Sequence, residues 1–186
     1  MMPVLYVNPA TVLRPVSVDD AANLFALVDA NRDYLRAWLP WLDATLCEAD
    51  TRTFITAAIE RERVGGGSVM LVQHDSAICG VAAFNRIEPL NQVCEIGYWL
   101  AERYQGRGVM TGSVSRLVRH AFEDLRLNRI TISIAVENHR SRAIPERLGF
   151  KAEGMLRESE WLYDHFVDQV LYALIRSDWN GSTAAT

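Results

Sequence analysis

Apolar residues recur along this chain in two rhythms, and the points where one gives way to the other delimit its elements. Residues 11–16 (TVLRPV) form a short extended run and predict a first strand. SVDD follows, with Ser17 as an N-cap and Asp20 three positions on. This variant of the capping box opens a helix through Leu24, Leu27 and Val28. Residues 36–43 (RAWLPWLD) break at Pro40 and predict a connecting segment. A second helix is expected over 50–64, with Phe54, Ile55, Ala58 and Ile59 on one face and the glycines at 65–67 ending it.

The strand rhythm returns at 69–73 and 78–84, joined by a turn at HDSA, and again at 93–100. Met110, Val114, Leu117, Val118, Ala121, Phe122 and Leu125 then hold helical spacing over about four turns. Residues 129–136 predict a strand of mostly β-branched side chains. The segment beginning at Ser141, SRAIPERLGF, predicts a short helix closed by Gly149 at C′. Pro145 lies inside that helix, a small cost if Ser141 is the N-cap and a kink if the helix starts earlier. Two more strands are expected near 155–161 and 167–174. This order is mixed α/β (α+β). It predicts one domain over 1–186, with its core at about 11–179 and a flexible tail over 180–186.

Composition removes several function classes. A net charge of -4 provides no broad basic field for nucleic acid or an anionic membrane surface. Cys47, Cys79 and Cys94 are odd in number and lack C-x-x-C spacing, which argues against a disulfide framework and a zinc site. His74, His120, His139 and His165 show no metal spacing; His120 is expected on a helix face and the others exposed. No metal is expected. The first residues lack a basic n-region and a long apolar h-region, and no apolar run approaches membrane-spanning length. A cytoplasmic protein is expected.

The candidate chemistry centres on YQGRGVMTGSV, residues 104–114, between a predicted strand and the long helix. Gly106, Gly108 and Gly112 let backbone approach a ligand closely, a helix N-terminus presents unpaired N–H groups, and Arg107 adds positive charge. The turn therefore reads either as a phosphate cradle or as plain chain reversal. A dinucleotide fingerprint would need its third glycine one position earlier. A nucleotide P-loop would need a lysine here, and the only lysine is Lys151.

YQGRGVM is similar to the Q/R-x-x-G-x-G/A motif of the GCN5-related N-acetyltransferases, whose turn holds the pyrophosphate of acetyl-coenzyme A. Gln105 and Gly108 match, while Met110 replaces the final Gly/Ala. VENHRSRAIPERLGF resembles the same family's N-x-x-S…lGF segment, with Asn138, Ser141, Gly149 and Phe150 in place. Residues 84–100 and 153–174 resemble the branch that acetylates ribosomal-protein N-termini, and the similarity spans roughly residues 11–179. The resemblance implies an acyl-coenzyme A N-acyltransferase fold, a mixed, mostly antiparallel twisted sheet flanked by helices. It implies acetyl-coenzyme A as cosubstrate and a primary amine as acceptor, above all a protein α-amine, with a homodimer suggested by the branch. A small-molecule amine acceptor, such as an antibiotic or polyamine, and a non-catalytic acyl-coenzyme A sensor are the alternatives.

Direct transfer from a thioester to an amine needs a held donor, a neutral amine, a stabilised oxyanion and a proton for the thiolate. An α-amine of pKa about 8 is already partly neutral at pH 7, so the base has a light task. The resemblance places that base at Glu160; the competing reading is a solvated strand carboxylate beside Glu153 and Glu158. It places the proton donor at Ser141, where the competing reading is a helix N-cap. Donor binding is implied for Tyr98, Trp99 and Leu100 through backbone N–H groups of a bulged, spread strand, for which Gly97 is a candidate bulge position. It is implied as well for Gln105, Gly106, Arg107, Gly108, Val109, Met110, Thr111, Asn138 and Ser141. Asn138 reads equally as a turn residue. Trp38, Trp41, Asn85, Glu88 and Asn91 resemble parts of the acceptor region, with tryptophan packing anchors as the other reading.

Overall fold

The computed structural model describes residues 2–181. Its elements run β1 (Leu5–Asn8), β2 (Thr11–Pro15), α1 (Ala21–Asp29), α2 (Arg32–Arg36) and α3 (Glu48–Arg63). There follow β3 (Ser68–His74), β4 (Ala77–Glu88), β5 (Val93–Leu100), α4 (Val109–Glu123), β6 (Arg129–Ala135), α5 (His139–Arg147), β7 (Lys151–Leu162) and β8 (His165–Ile175). The strands form one sheet in the order β1-β2-β3-β4-β5-β6-β8-β7. Every pair is antiparallel except β5 with β6.

Period-two alternation divides the core into two faces. Ile130, Ile132 and Ile134 of β6 join Val114, Leu117, Val118, Ala121 and Phe122 of α4 in the main cluster, all 5% exposed or less. Burying each large member is worth about 1.5–3 kcal/mol. The other face carries a smaller cluster in which Val69, Leu71, Val81 and Ala83 pack beneath Leu24 of α1 and Ile55 and Ala58 of α3. The expected face of α3 was rotated: Thr51, Ile55 and Ala58 are buried, whereas Phe54 and Ile59 are 45% and 38% exposed.

Two short elements have no counterpart in the sequence reading. β1 pairs with β2 ahead of the first expected strand, and α2 interrupts the segment before Trp38. Ser17 and Asp20 do form a reciprocal capping box, but on a single 3-10 turn that precedes α1, with Arg14 donating to both oxygens of Asp20. His120 is buried at 4% and meets Asp124 at 2.6 Å, and His74 is half-buried against Thr11, contrary to its expected exposure; His139 and His165 are exposed. Of the expected tail, Asn180 and Gly181 are described and 182–186 lie outside the described residues. No described helix is long and apolar enough to cross a membrane.

The feature that makes a site is a split in the sheet. β5 and β6 pair only at Val93↔Arg129, Cys94↔Ile130 and Glu95↔Thr131, and then separate. The split begins opposite a β-bulge. β4 matches Phe84 to Ile96 and Arg86 to Glu95, leaving Asn85 as the extra residue. A bulge bends and twists its strand locally, and here it does so at the last β5–β6 pair. The expected bulge on β5 is thus on its neighbour. Gly97 leaves room for the Asn85 side chain instead, since a Cβ there would lie 2.4 Å from Asn85 Nδ2.

Candidate active site

The split opens into a cavity of about 780 Å³ that passes between the two faces of the sheet. Residues 95–99 of β5 and 132–135 of β6 line its sides. Amides of 96–100 directed away from β4 have no strand partner in β6, which leaves N–H groups for a developing oxyanion. Seven of the sequence-predicted residues line this cavity from four segments: Trp38, Trp41, Asn85, Tyr98, Trp99, Asn138 and Ser141, with Glu160 as the eighth from β7.

Ser141 sits in the first turn of α5, and its capping role belongs to another residue. Asn138 is the N-cap, its Oδ1 accepting from the Ser141 amide at 3.2 Å. The helix therefore starts earlier than expected, which places Pro145 well inside it. Pro145 has no N–H for the Ser141 carbonyl four residues back. The buried Tyr98 hydroxyl donates to that carbonyl at 3.0 Å instead, and Ser141 Oγ donates to Tyr98 Oη at 3.3 Å. Burial pushes the Tyr98 phenol far above its ordinary pKa, so it is a hydrogen-bonding group rather than a proton source at neutral pH.

Glu160 is half-buried, and Gln169 Nε2 donates to its Oε2 at 3.0 Å. Desolvation raises its pKa, with the Gln169 bond pulling the other way. A second irregularity aims it: β7 matches Leu156 to Gln169 and Glu160 to Val167, so three residues face one. Glu158 in that bulge takes φ 49°, its amide donating to Asp168 at 2.7 Å. Glu153 is occupied differently, in an ion pair with Arg129.

The glycine turn lies beyond the end of β5. Gly106 and Gly108 have φ 70° and 74°, and a Cβ at either would meet nothing within 4 Å, so the space over the turn is open. Gly108 is the N-cap of α4 and supplies no side-chain acceptor, leaving the first amides of the helix for an anion. Val109 and Met110 contribute backbone only, since their side chains are buried in the core at 4% and 5%. Thr111 Oγ1 accepts from Arg147 at 3.1 Å. Gln105 bridges Tyr34, to whose hydroxyl it donates, and Arg140, whose Nη1 donates to it at 3.0 Å. The turn fits a diphosphate: open, amide-rich and flanked by Arg107, Arg140 and Arg147.

Not every expected residue reaches the cavity. Asn91 donates to Glu88 at 3.0 Å and Arg86 pairs with Glu88 at 2.8 Å, all at the exposed end of the β4–β5 hairpin. The Trp99 ring lies 6.3 Å from that of Trp41, and both residues line the cavity. Neither buried cysteine is poised as a nucleophile: burial pushes the Cys79 thiol up to about 11 and that of Cys94 to about 12. Among the described residues no group of three or more His, Cys, Asp or Glu gathers as for a metal.

A family model described as an acetyltransferase (GNAT) domain matches residues 11–151. The chain belongs to the GNAT acetyltransferase family. A putative ribosomal N-acetyltransferase, YdaF, of Bacillus subtilis (strain 168) is 32% identical over 94% of this chain and 96% of its own. The ribosomal-protein-serine acetyltransferase of Escherichia coli (strain K12) is 33% identical over 94% and 98%. Among solved structures, RimL, a ribosomal L7/L12 alpha-N-protein acetyltransferase in complex with coenzyme A, matches with a TM-score of 0.90. It is 30% identical and covers 93% of this chain and 98% of that one.

In this GNAT N-acetyltransferase several contributors had no sequence signal. Gln169, which holds Glu160, and Tyr163, which pins the tryptophan segment, act through strand pairing that no local pattern encodes. The Tyr98 side chain was missed because its partner is created by Pro145, seven positions beyond Asn138 and remote in sequence from β5. The proline itself was the available clue.

Proposed function

We propose that this enzyme acetylates the N-terminal α-amine of a protein, with a ribosomal protein as first candidate and acetyl-coenzyme A as donor. The relatives named as ribosomal-protein acetyltransferases, matched over nearly their full lengths, support the acceptor. Solved relatives in complex with coenzyme A or acetyl-coenzyme A support the donor. The observation that carries the chemistry is the split itself, which brings Ser141 and Glu160 from separate elements to one cavity.

In this reading the turn from Gln105 to Thr111 holds the diphosphate, and the free edge of β5 directs the thioester toward Ser141. The amine enters from the face bearing Trp38, Trp41 and Trp99, and Glu160 takes its proton directly or through water. The nitrogen lone pair forms the new C–N bond at the carbonyl carbon, with the oxyanion facing the free β5 amides. The C–S bond then breaks as the nitrogen gives up its extra proton, and that proton passes through water and the Ser141 hydroxyl to the departing thiolate, which leaves as the thiol. The reaction proceeds in the cytoplasm, where ribosomal proteins are made. Pairing of two copies across edge strand β7, where Met155 and Trp161 are exposed, gives a homodimer; sedimentation at several concentrations tests that part.

Free-thiol release from acetyl-coenzyme A tests the acceptor, using peptides with Ser, Ala, Thr and Met N-termini, ribosomal stalk protein, polyamines and aminoglycosides. Mass spectrometry locates the acetyl group. Modification of peptide or stalk-protein α-amines is the expected result. Turnover with small amines alone would move the acceptor to that class, and tight donor binding without any turnover would favour a sensor.

A further inference from the structure

The cavity ends away from Ser141 in a polar corner that the transfer chemistry leaves unused. Arg61, in the last turn of α3, packs its stem near Gly66, where a Cβ would lie 3.3 Å from Arg61 Cγ. Gly67 abuts the carbonyls of Phe84 and Asn85, so Arg61 stands beside the β4 bulge. Glu95 Oε1 accepts from Asn85 Nδ2 at 3.4 Å, and all three residues line the cavity. Glu95 is three residues along β5 from Tyr98, about 10 Å at the rise of a strand.

Arg61 differs from the arginines that are held in ion pairs. Arg14, Arg36, Arg63 and Arg129 each hold a carboxylate. The Nε of Arg61 is buried without an acceptor, and among the described residues no carboxylate, Glu95 included, pairs with its guanidinium. Thr51, at the other end of α3 and 3% exposed, lines the same cavity with its hydroxyl unpartnered. Polar atoms buried without partners are rare in native proteins, and these two belong to residues that line the cavity. Ten helical residues separate Thr51 from Arg61, about 15 Å, which matches about four or five residues of extended chain. Thr51 and Arg61 thus line the cavity far enough apart for an elongated ligand.

We propose that Arg61 binds an acidic side chain of the acceptor about three residues from the amine that is acetylated. This makes the substrate class an N-terminal segment with an early Asp or Glu, and it rests on the reading of a protein N-terminus as acceptor. A guanidinium fork meets a carboxylate through two parallel hydrogen bonds. Glu95, within 3.4 Å of Asn85 Nδ2, repels any acid that does not seat on that fork, which sharpens the register.

The test uses the full chain, acetyl-coenzyme A and the amidated tetrapeptides Ser-Ala-Asp-Ala and Ser-Ala-Asn-Ala, with further peptides carrying Asp at the second or fourth position. The Asp peptide of best register is expected to lead its Asn counterpart by about tenfold in kcat/KM, mainly through KM. Arg61→Gln should erase that preference, Arg61→Lys should keep part of it, and Arg61→Glu should turn it toward Lys peptides. Equal rates for Asp and Asn peptides would overturn the role of Arg61 while the acceptor reading stands. If no peptide is acetylated but small amines are, the acceptor reading has failed. The same peptides are then titrated against the fluorescence of Trp38, Trp41 and Trp99, which line the cavity. Tighter binding of the Asp peptide, lost in Arg61→Gln, would support the subsite, and equal affinities would overturn it.

Discussion

The Tyr98 hydroxyl donates at 3.0 Å to the carbonyl of Ser141, the oxygen that Pro145 leaves without its helical partner. A helix-breaking residue and a strand tyrosine thus form one device, which fixes the first turn of α5 against the open edge of β5. Tyr98→Phe should cost about 0.5–1.5 kcal/mol, the net worth of one hydrogen bond whose carbonyl faces the cavity. Pro145→Ala restores an N–H four residues on, so the double variant should lose less than the sum of the singles, by about 1 kcal/mol. Urea denaturation of the four proteins measures the cycle, and strict additivity would show that the proline and the tyrosine are unconnected.

Ser141→Ala removes only the hydroxyl, because Asn138 rather than Ser141 caps the helix. Stability should change little. The value of kcat should fall by about a hundredfold, the low end for a proton donor, with acetyl-coenzyme A affinity within about twofold, since few interactions made only in the transition state affect ground-state binding. Isothermal titration beside steady-state kinetics separates the two effects.

Glu160 has a raised pKa because burial disfavours its ionised form. Acting as a base it must be ionised, so the acid limb of kcat/KM should lie above the ordinary glutamate value of 4.5 and disappear in Glu160→Gln. The sign for stability is opposite to that of a salt-bridged acid. Protonation favours the folded state, a contribution present at low pH and lost as pH rises through the folded pKa. Glu160→Gln should therefore be at least as stable as the parent near neutrality and gain nothing in acid. A variant less stable at neutral pH would point to a structural role for the charge.

Tyr163, in the β7–β8 turn, clamps the segment that carries the cavity's tryptophans. Its hydroxyl donates to the Leu39 carbonyl and accepts from the Leu42 amide at 3.2 Å, while Arg36 lies 3.9 Å over its ring. Tyr163→Phe keeps the ring and releases the backbone. Acceptor KM should rise by about threefold to tenfold, in line with a lost hydrogen bond of about 1 kcal/mol. The donor KM should not move; an equal rise in both would show general loosening.

Gly97→Ala places a methyl group against Asn85, where the ideal Cβ is 2.4 Å from Nδ2. Asn85 is exposed and can turn aside, so the cost should be about 1 kcal/mol, the low end for overpacking. Shortening the neighbour with Asn85→Ala should recover part of the loss, which thermal unfolding of the single and double variants would reveal.

Much of the outline was legible because it is local. The strand at residues 93–100 and the α4 stripe depend on period and side-chain chemistry within a short window, and both appear with nearly the expected bounds. The glycine turn was equally visible, since a positive φ at Gly106 and Gly108 is a demand on the residue itself. The substitution of Met110 was harder to judge. In the fold its side chain goes to the core and its amide remains at the helix start, so the departure from the motif does not obstruct the turn.

The sequence by itself determined the order of the elements, the turn that opens α4, and the residue types that acyl transfer requires. It did not determine how they meet. The face of α3, the residue that caps α5 and the partner of Ser141 were decided by packing between elements distant along the chain. So was the site. The bulge at Asn85, the parting of β5 from β6 and the irregular pairing that aims Glu160 depend on register between strands, and a register exists only once both strands are in place.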